Sequence, residues 1–412
     1  MEKPSGKIIK IVGQKNQKGI EELMVLYSNG INLNFSDNVK NEAGKLKFNI
    51  DKNIRKDLKN EFIITIDGED AKDLDDAIGV KKLPNGNYEL GVHIADVSHY
   101  VKEGGFLDKE ALLRGTSIYL PDRVIPMLPN ELSNNLCSLN PNEPKFTLSA
   151  ILEIGKDGKI IKRKVEETLI KSKARMTYNE VAEILKGKEC SKQLKEIITN
   201  SYDLYKIIYK RRKIEGKVEF DFGETKIKIG KNGEVVDVFK IQRNDAHKII
   251  EEFMIIANEE VSKIFSELKI PFLYRTHEKP SLADMEKLKD ILLPYSIKLN
   301  TNNVSSLEIS HIIDSLKGKP YEYSVSKQIL KAMAKAKYLP FAIGHFGLSL
   351  KYYSHFTSPI RRYPDLQIHR IIKKYLHGNL PKYKIKLYTS QLGRISKKCS
   401  KNEEKAEEIE NK

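Results

Sequence analysis

The chain has 412 residues, 40% of them hydrophobic, and a formal net charge of +16. That length supports one large core or several small ones, and no apolar run approaches the ~18 residues of a membrane-crossing helix. "MEKPSGKIIKIVG" has no apolar centre of the secretory type, and Cys137, Cys190 and Cys399 are too far apart for a CxxC pair or a Cys/His zinc spacing. The expectation is a reduced, cytoplasmic protein with no membrane span, whose basic surface attracts polyanions, nucleic acid first among them.

Residues 1–50 are polar and turn-rich. The alternation in "GKIIKIVG" predicts one or two strands with a short helix, too little for a core of its own, followed by the charged connector "VKNEAGKLKFNIDKNIRKDLKN". From Glu61 onward, "FIITI", "DAIGV", "YELGVHIADV" and "TLSAILEI" read as strands, separated by turns such as "LPNGN". Helical patterns enter at about Thr177 with "TYNEVAEILKG" and "KQLKEIITNSYDLYKIIYKRRK". A second strand pair follows, turning at Lys231–Asn232–Gly233. Asn244 or Asp245 then caps a helix running through Leu268, with Ile249, Ile250, Phe253, Met254 and Ala257 on its apolar stripe. The last segment, from "YTSQLGRISKKCSKNEEKAEEIENK", loses its apolar face and reads as a charged helix or frayed tail. Antiparallel strands with segregated helices make an α+β domain of about 350 residues.

One stretch runs against the basic background. "TIDGEDAKDLDDA" places six carboxylates between Asp67 and Asp76, with one lysine among them. Such a loop repels itself, and hard divalent cations are the economical compensation. A calcium hand starting at Asp67 would need Gly at position 72 and Glu at position 78, where Lys72 and Ile78 stand. A helix cap needs one or two acids, not six. A merely solvated acidic turn is the bland alternative. The position favours chemistry: Asp67 follows an apolar strand, Gly68 permits a turn, and Asp73, Asp75 and Asp76 cluster before "AIGV". Carboxylates fixed on a scaffold within a basic protein suit two-metal phosphoryl transfer, with ions about 4 Å apart. Arg361 and Arg362 precede Pro364, which opens a helix running to Gly378, and a guanidinium at a helix start favours phosphate. Arg361 is the phosphate ligand in this reading and Arg362 is structural. His93, Asp96 and His277 read as satisfied groups within the core.

The acidic stretch resembles the signature of the RNB exoribonucleases, the ribonuclease II and ribonuclease R family. So do "GVHIADVSHYV", "LDKEALLRGTSIYLPDRVIPMLPNELSNNLCSLNP", "RNDAHKIIEEFMIIANEEV", "PFLYRTHEKP" and "HFTSPIRRYPDLQIHR", in the expected order from about residue 55 to about 400. The wording is nearer to ribonuclease R than to ribonuclease II. The resemblance implies an RNB catalytic domain over 51–412, with an antiparallel sheet flanked by helices, and a partial cold-shock-type OB-fold remnant over 1–50. It implies a monomeric, processive 3′→5′ hydrolase acting on single-stranded RNA, releasing 5′-mononucleotides with Mg²⁺ (or Mn²⁺). Asp67, Asp73, Asp75 and Asp76 match the catalytic, metal-holding aspartates, with Asp67 and Asp76 as ligands and Asp75 the most critical for chemistry. Glu69 and Asp70 fall outside that set, as solvated charge that tunes the field. Tyr119 matches a tyrosine that stacks on the terminal base, and Phe220 is the choice for an opposing clamp, with Phe222 its rival. Glu251 matches a substrate-binding glutamate. The family's C-terminal OB domain and leading cold-shock domains are not recognised here, so weaker RNA binding is expected. An RNA-binding remnant without catalysis and a metal-dependent DNA exonuclease are the alternatives.

Overall fold

The computed structural model describes residues 6–8, 11–15, 17, 19–49, 55–230 and 234–411. Seven strands form the central sheet: β1 (Lys56–Asp57), β2 (Ile64–Asp67), β3 (Asp76–Lys82), β4 (Tyr88–Ala95), β5 (Pro144–Ile154), β6 (Ile160–Lys171) and β7 (Ala174–Thr177). Their order is β1-β6-β5-β4-β3-β2-β7. The run from β6 to β2 is antiparallel; short connections join β2 to β3, β3 to β4 and β5 to β6, while residues 96–143 lie between β4 and β5. The two outer pairings, β1 with β6 and β2 with β7, are parallel.

β4 lies at the middle of this sheet. Tyr88, Leu90, Val92 and Ile94 are buried, and so are Gly91, His93 and Ala95 on the alternate positions. A strand buried on both faces must be covered on both. The turn into β4 is closed by the Leu83 N–H to the Asn87 carbonyl at 2.8 Å, and Gly86 takes the left-handed φ of 83° that this turn needs.

Helices supply the covering layers. α1 (Tyr178–Leu185) starts with a capping box between Thr177 and Glu180. α2 (Lys192–Ile214) packs on β3, and α3 (Asp245–Glu267) packs on α2, β4 and β5. Asn244 caps α3 through the amides of Ala246 and His247. α4 (Leu282–Leu292), α5 (Ser306–Leu316) and α6 (Glu322–Ala332) enclose a second, smaller apolar core with Val218. α7 (Tyr363–Leu376) carries Pro364 in its first turn and meets the short helix Val97–Tyr100. The result is the expected α+β class.

Two expectations change, and a third falls outside the described residues. The described residues before Lys56 carry two helices, Ile20–Ser28 and Asp37–Gly44, and no strand. The predicted turn at Lys231–Asn232–Gly233 lies outside the described residues, although its flanking strands, β8 (Glu224–Ile229) and β9 (Val235–Ile241), pair antiparallel. The final segment does not fray: α8 (Lys382–Glu410) buries Tyr388, Leu392, Ile395, Cys399, Ala406 and Ile409. That stripe recurs every three or four residues, which suffices to seat a helix otherwise rich in charge. Among the described residues, no helix is long and apolar enough to cross a membrane.

Candidate active site

Asp67 ends β2 and Asp76 begins β3, and these strands are antiparallel neighbours. The acidic loop between them therefore returns its carboxylates to one sheet end. Its second half is pinned from inside. Ser138 Oγ donates to the Lys72 carbonyl at 2.8 Å and accepts from the Leu74 amide at 3.1 Å, and the Leu74 side chain is fully buried. The Ala95 amide donates to the Asp75 carbonyl at 2.9 Å. The first half is held by Arg175 of β7, whose Nη2 donates to the carbonyls of Gly68 (3.4 Å), Glu69 (3.0 Å) and Ala71 (2.7 Å).

Asp67, Asp73, Asp75 and Asp76 line a cavity of about 320 Å³ together with Glu251 of α3 and Arg361. Residues over 290 positions apart in sequence thus meet at one place. The Asp75 Oδ1 accepts from the Ile360 amide at 2.9 Å, and its Oδ2 lies 3.9 Å from Arg361 Nε. The Arg361 side chain is 42% exposed and donates to Ser358 Oγ at 3.2 Å, so much of its guanidinium remains free for a substrate anion. Arg362 is spent differently. It forms a forked pair with Asp365 at 3.0 and 2.7 Å, and Asp365 also accepts from the Ser358 amide at 2.8 Å. That braces the turn before α7.

The electrostatics are unusual for buried acids. Burial, then repulsion from Asp76, pushes Asp67 well above its ordinary value, against the pull of Arg175. Burial pushes Asp75 well up, against Arg361 and the Ile360 amide. Burial raises Asp76 to about 6, with Arg361 and Arg362 opposing. Asp67 Oδ2 and Asp75 Oδ2 are buried with no protein hydrogen-bond partner.

An all-oxygen donor set with unpartnered buried carboxylate atoms fits a hard divalent cation. Among the described residues, no three His, Cys, Asp or Glu side chains converge as a complete ligand group. A Mg²⁺-type ion accommodates this, since it keeps several waters and takes only one or two carboxylates plus phosphate oxygens.

The remaining predicted residues fall in different places. Tyr119 stands beside the acids: its hydroxyl donates to Asp73 Oδ2 at 3.2 Å, its amide donates to Glu410 Oε1 at 2.7 Å, and the residue is 40% exposed. Glu251 is already matched by Arg243 and by Lys217, the latter at 3.3 Å. Phe220 is not among the residues lining the aspartate cavity. It stacks on Phe222 with centroids 5.5 Å apart and packs against the second core. Phe222 lines a neighbouring cavity of about 440 Å³ with Tyr323, Arg243 and Lys248. Glu69 and Asp70 are tethered rather than free, to Asn179 at 3.2 Å and to Lys226 at 2.8 Å.

His93 is buried against Ser149 at 2.7 Å, and burial lowers it to about 3. Asp96 pairs with Arg55 at 2.5 Å and Lys373 at 2.7 Å, and His277 Nδ1 accepts from the Gly347 amide at 3.0 Å. All three sit as structural groups. Sequence reading missed Arg175, Tyr178 and Asn258. Tyr178 lines the cavity and stacks on His247 at 3.9 Å. Asn258 Oδ1 accepts from the Phe356 amide at 2.7 Å and fixes the segment leading to Arg361. Only the Asn258 position, two turns beyond Glu251 and one beyond Met254 on α3, carried a signal.

With this site in place, comparison with known proteins defines its class. Residues 55–378 match the RNB domain, and the chain belongs to that family. It is similar to Ribonuclease R of Thermotoga maritima, 42% identical over 99% of this chain and 59% of that protein. Its fold resembles Mycoplasma genitalium RNase R in complex with ribose methylated single-stranded RNA, with a TM-score of 0.93 and 30% identity over 97% of this chain and 64% of that one. Yeast Ssd1, a pseudonuclease, shares the fold at 20% identity and a TM-score of 0.78, over 97% of this chain and 50% of its own. The chain spans between half and three fifths of the length of the first curated relatives it matches.

Proposed function

We propose that the chain is a 3′→5′ exoribonuclease that hydrolyses single-stranded RNA processively to 5′-mononucleotides, with Mg²⁺ or Mn²⁺. The convergence of Asp67, Asp73, Asp75 and Asp76 with Arg361 around one cavity carries this reading. Such a fold also occurs in a pseudonuclease, so the site, not the fold, supports catalysis.

Of Asp67, Asp73, Asp75 and Asp76, one or two carboxylates would hold each cation directly and the rest through its waters, and Asp67 and Asp75 each present an unpartnered buried oxygen. When bound, the ion activates water and stabilises charge on the phosphate. Arg361 binds the scissile phosphate through its exposed guanidinium. Asp75 is held by the Ile360 amide, one residue before Arg361, so acid and cation keep a fixed spacing. Water attacks phosphorus, the bond to the penultimate 3′ oxygen breaks, and that oxygen takes a proton. The products are a nucleoside 5′-monophosphate and a chain one residue shorter. Tyr119 offers a half-exposed ring to the terminal base, a sequence-tolerant contact.

The test uses a 5′-labelled single-stranded RNA with Mg²⁺ or EDTA, the matching DNA, and the Asp75→Asn protein. A cation-dependent ladder on RNA alone, ending in a short 5′ remnant and absent with Asp75→Asn, supports the reading. Tight RNA binding by folded wild-type protein without cleavage rejects it in favour of a binding protein. Equal cleavage of DNA rejects the ribose preference.

A further inference from the structure

The two halves of the acidic loop are secured by different means. From Lys72 onward, buried hydrogen bonds from Ser138, Ala95 and Ile360 fix it. Between Asp67 and Lys72 the ties lie at the surface. A turn bond joins the Ala71 amide to the Gly68 carbonyl at 3.2 Å, and the Lys226–Asp70 pair is between side chains 51% and 85% exposed. Exposed pairs of that kind contribute little. The tie with the most partners is Arg175, itself at the surface, whose Nη2 is shared among three loop carbonyls.

Those carbonyls turn toward one point. Their negative ends would add to a region already crowded with carboxylates, and a cation is the natural filler. A guanidinium suits that place because its charge is permanent and its planar terminus reaches all three carbonyls through Nη2. Arg175 is placed for this by β7, where it sits in register with Thr65 of β2, two residues before Asp67. It is not among the residues lining the aspartate cavity.

We propose that Arg175 is a positioning residue for the acidic loop: it sets the backbone between Asp67 and Asp73 and supplies a fixed cation at the loop's outer side, without touching substrate. This rests on the hydrolase reading, which it deepens. It also explains why the loop tolerates such charge density before any ligand arrives.

The test compares full-length Arg175→Met and Arg175→Lys with wild type and Asp75→Asn, by turnover, Tm and amide hydrogen exchange. Arg175→Met should lower kcat by about 10–100-fold, the range for partners that orient ligand groups. KM for RNA and Tm should stay unchanged, and exchange should quicken at 68–72 but not in α3 or β4. Arg175→Lys keeps the charge but loses the planar reach of Nη2 to the three carbonyls, and should fall between the two. Wild-type kcat in Arg175→Met overturns the proposal. So does loss of protection throughout the molecule, which would mark a general structural role. If wild type itself turns nothing over, the hydrolase reading fails separately, and exchange at 68–72 alone decides whether Arg175 positions the loop.

Discussion

Asp75 and Asp96 are both nearly inaccessible, and both sit at strand ends of one sheet, yet the protein treats them in opposite ways. For Asp96, burial alone would raise its pKa, but Lys373 and Arg55 outweigh burial and hold it well below its ordinary value. It also accepts from Ser98 Oγ and the His99 amide, capping the short helix that follows β4. Asp75 has one amide and a guanidinium 3.9 Å away, and burial wins. A carboxylate whose charge is matched inside the protein serves the fold. One left unmatched is held ready for something from outside, at a cost in stability.

Substitution should separate the two most sharply. Asp75→Asn is expected to lower RNA turnover by at least about 10²–10³-fold, the scale for losing a charge-stabilising group. It should leave RNA affinity and Tm unchanged or raise Tm, because it removes a poorly compensated buried charge. Asp96→Asn should do the reverse. Asparagine still caps a helix, but Arg55 and Lys373 lose their partner, with Glu167 at 3.2 and 3.4 Å as partial relief. A loss of about 3 kcal/mol is expected from denaturant unfolding. Equal destabilisation by both variants would erase the distinction.

Much of this contrast was legible in the sequence, and its limits have physical causes. The acidic stretch announces itself because six acids in a basic chain are anomalous at the level of composition. Arg361 was readable because Pro364 marks a helix start. The sequence reading already puts Asp75 with the chemistry and Asp96 with the core, but the partners that enforce those fates were not readable, since they come from far away: Ile360 for one, Arg55 and Lys373 for the other. Arg175 was hidden for a related reason. It bonds to backbone carbonyls, which carry no residue signature. Phe220, chosen as the opposing clamp, stands apart from the aspartate cavity, turned toward Phe222 and the second core. In the N-terminal region the alternation of residues 6–13 falls partly outside the described residues, and the helices Ile20–Ser28 and Asp37–Gly44 lie beyond it.

The contrast has a pH signature of smaller size. Asp76 rises from 3.8 to about 6 through burial. A raised folded-state value means that its contribution to stability is present below about pH 4 and lost as pH rises through about 6. In EDTA, Asp76→Asn should therefore match wild type below about pH 4 and exceed it by on the order of 2 kcal/mol at pH 7. Added Mg²⁺ should narrow that gap by stabilising wild type. Asp96 has a depressed value, so its stabilisation is present above the ordinary carboxylate range and lost on further acidification. Stability profiles of Asp76→Asn and Asp96→Asn that diverge from wild type in the same direction across this range would contradict the assignment.

Tyr119 tests the boundary between these two kinds of group, because it touches both substrate space and an acid. Its hydroxyl donates to Asp73, while the residue is 40% exposed. If the hydroxyl mainly steadies Asp73, Tyr119→Phe should cost about 1 kcal/mol in kcat/KM, the worth of a single hydrogen bond. If the ring stacks on a base, Tyr119→Ala should add a loss toward the low end of about 1–3 kcal/mol, because solvent already reaches much of the ring. That second loss should show as a longer end product, since a shortened RNA with fewer contacts elsewhere depends most on the missing platform. A Tyr119→Ala product of unchanged length, with kcat/KM no lower than in Tyr119→Phe, would leave the hydroxyl as its whole contribution and put Tyr119 with the residues that steady the acids.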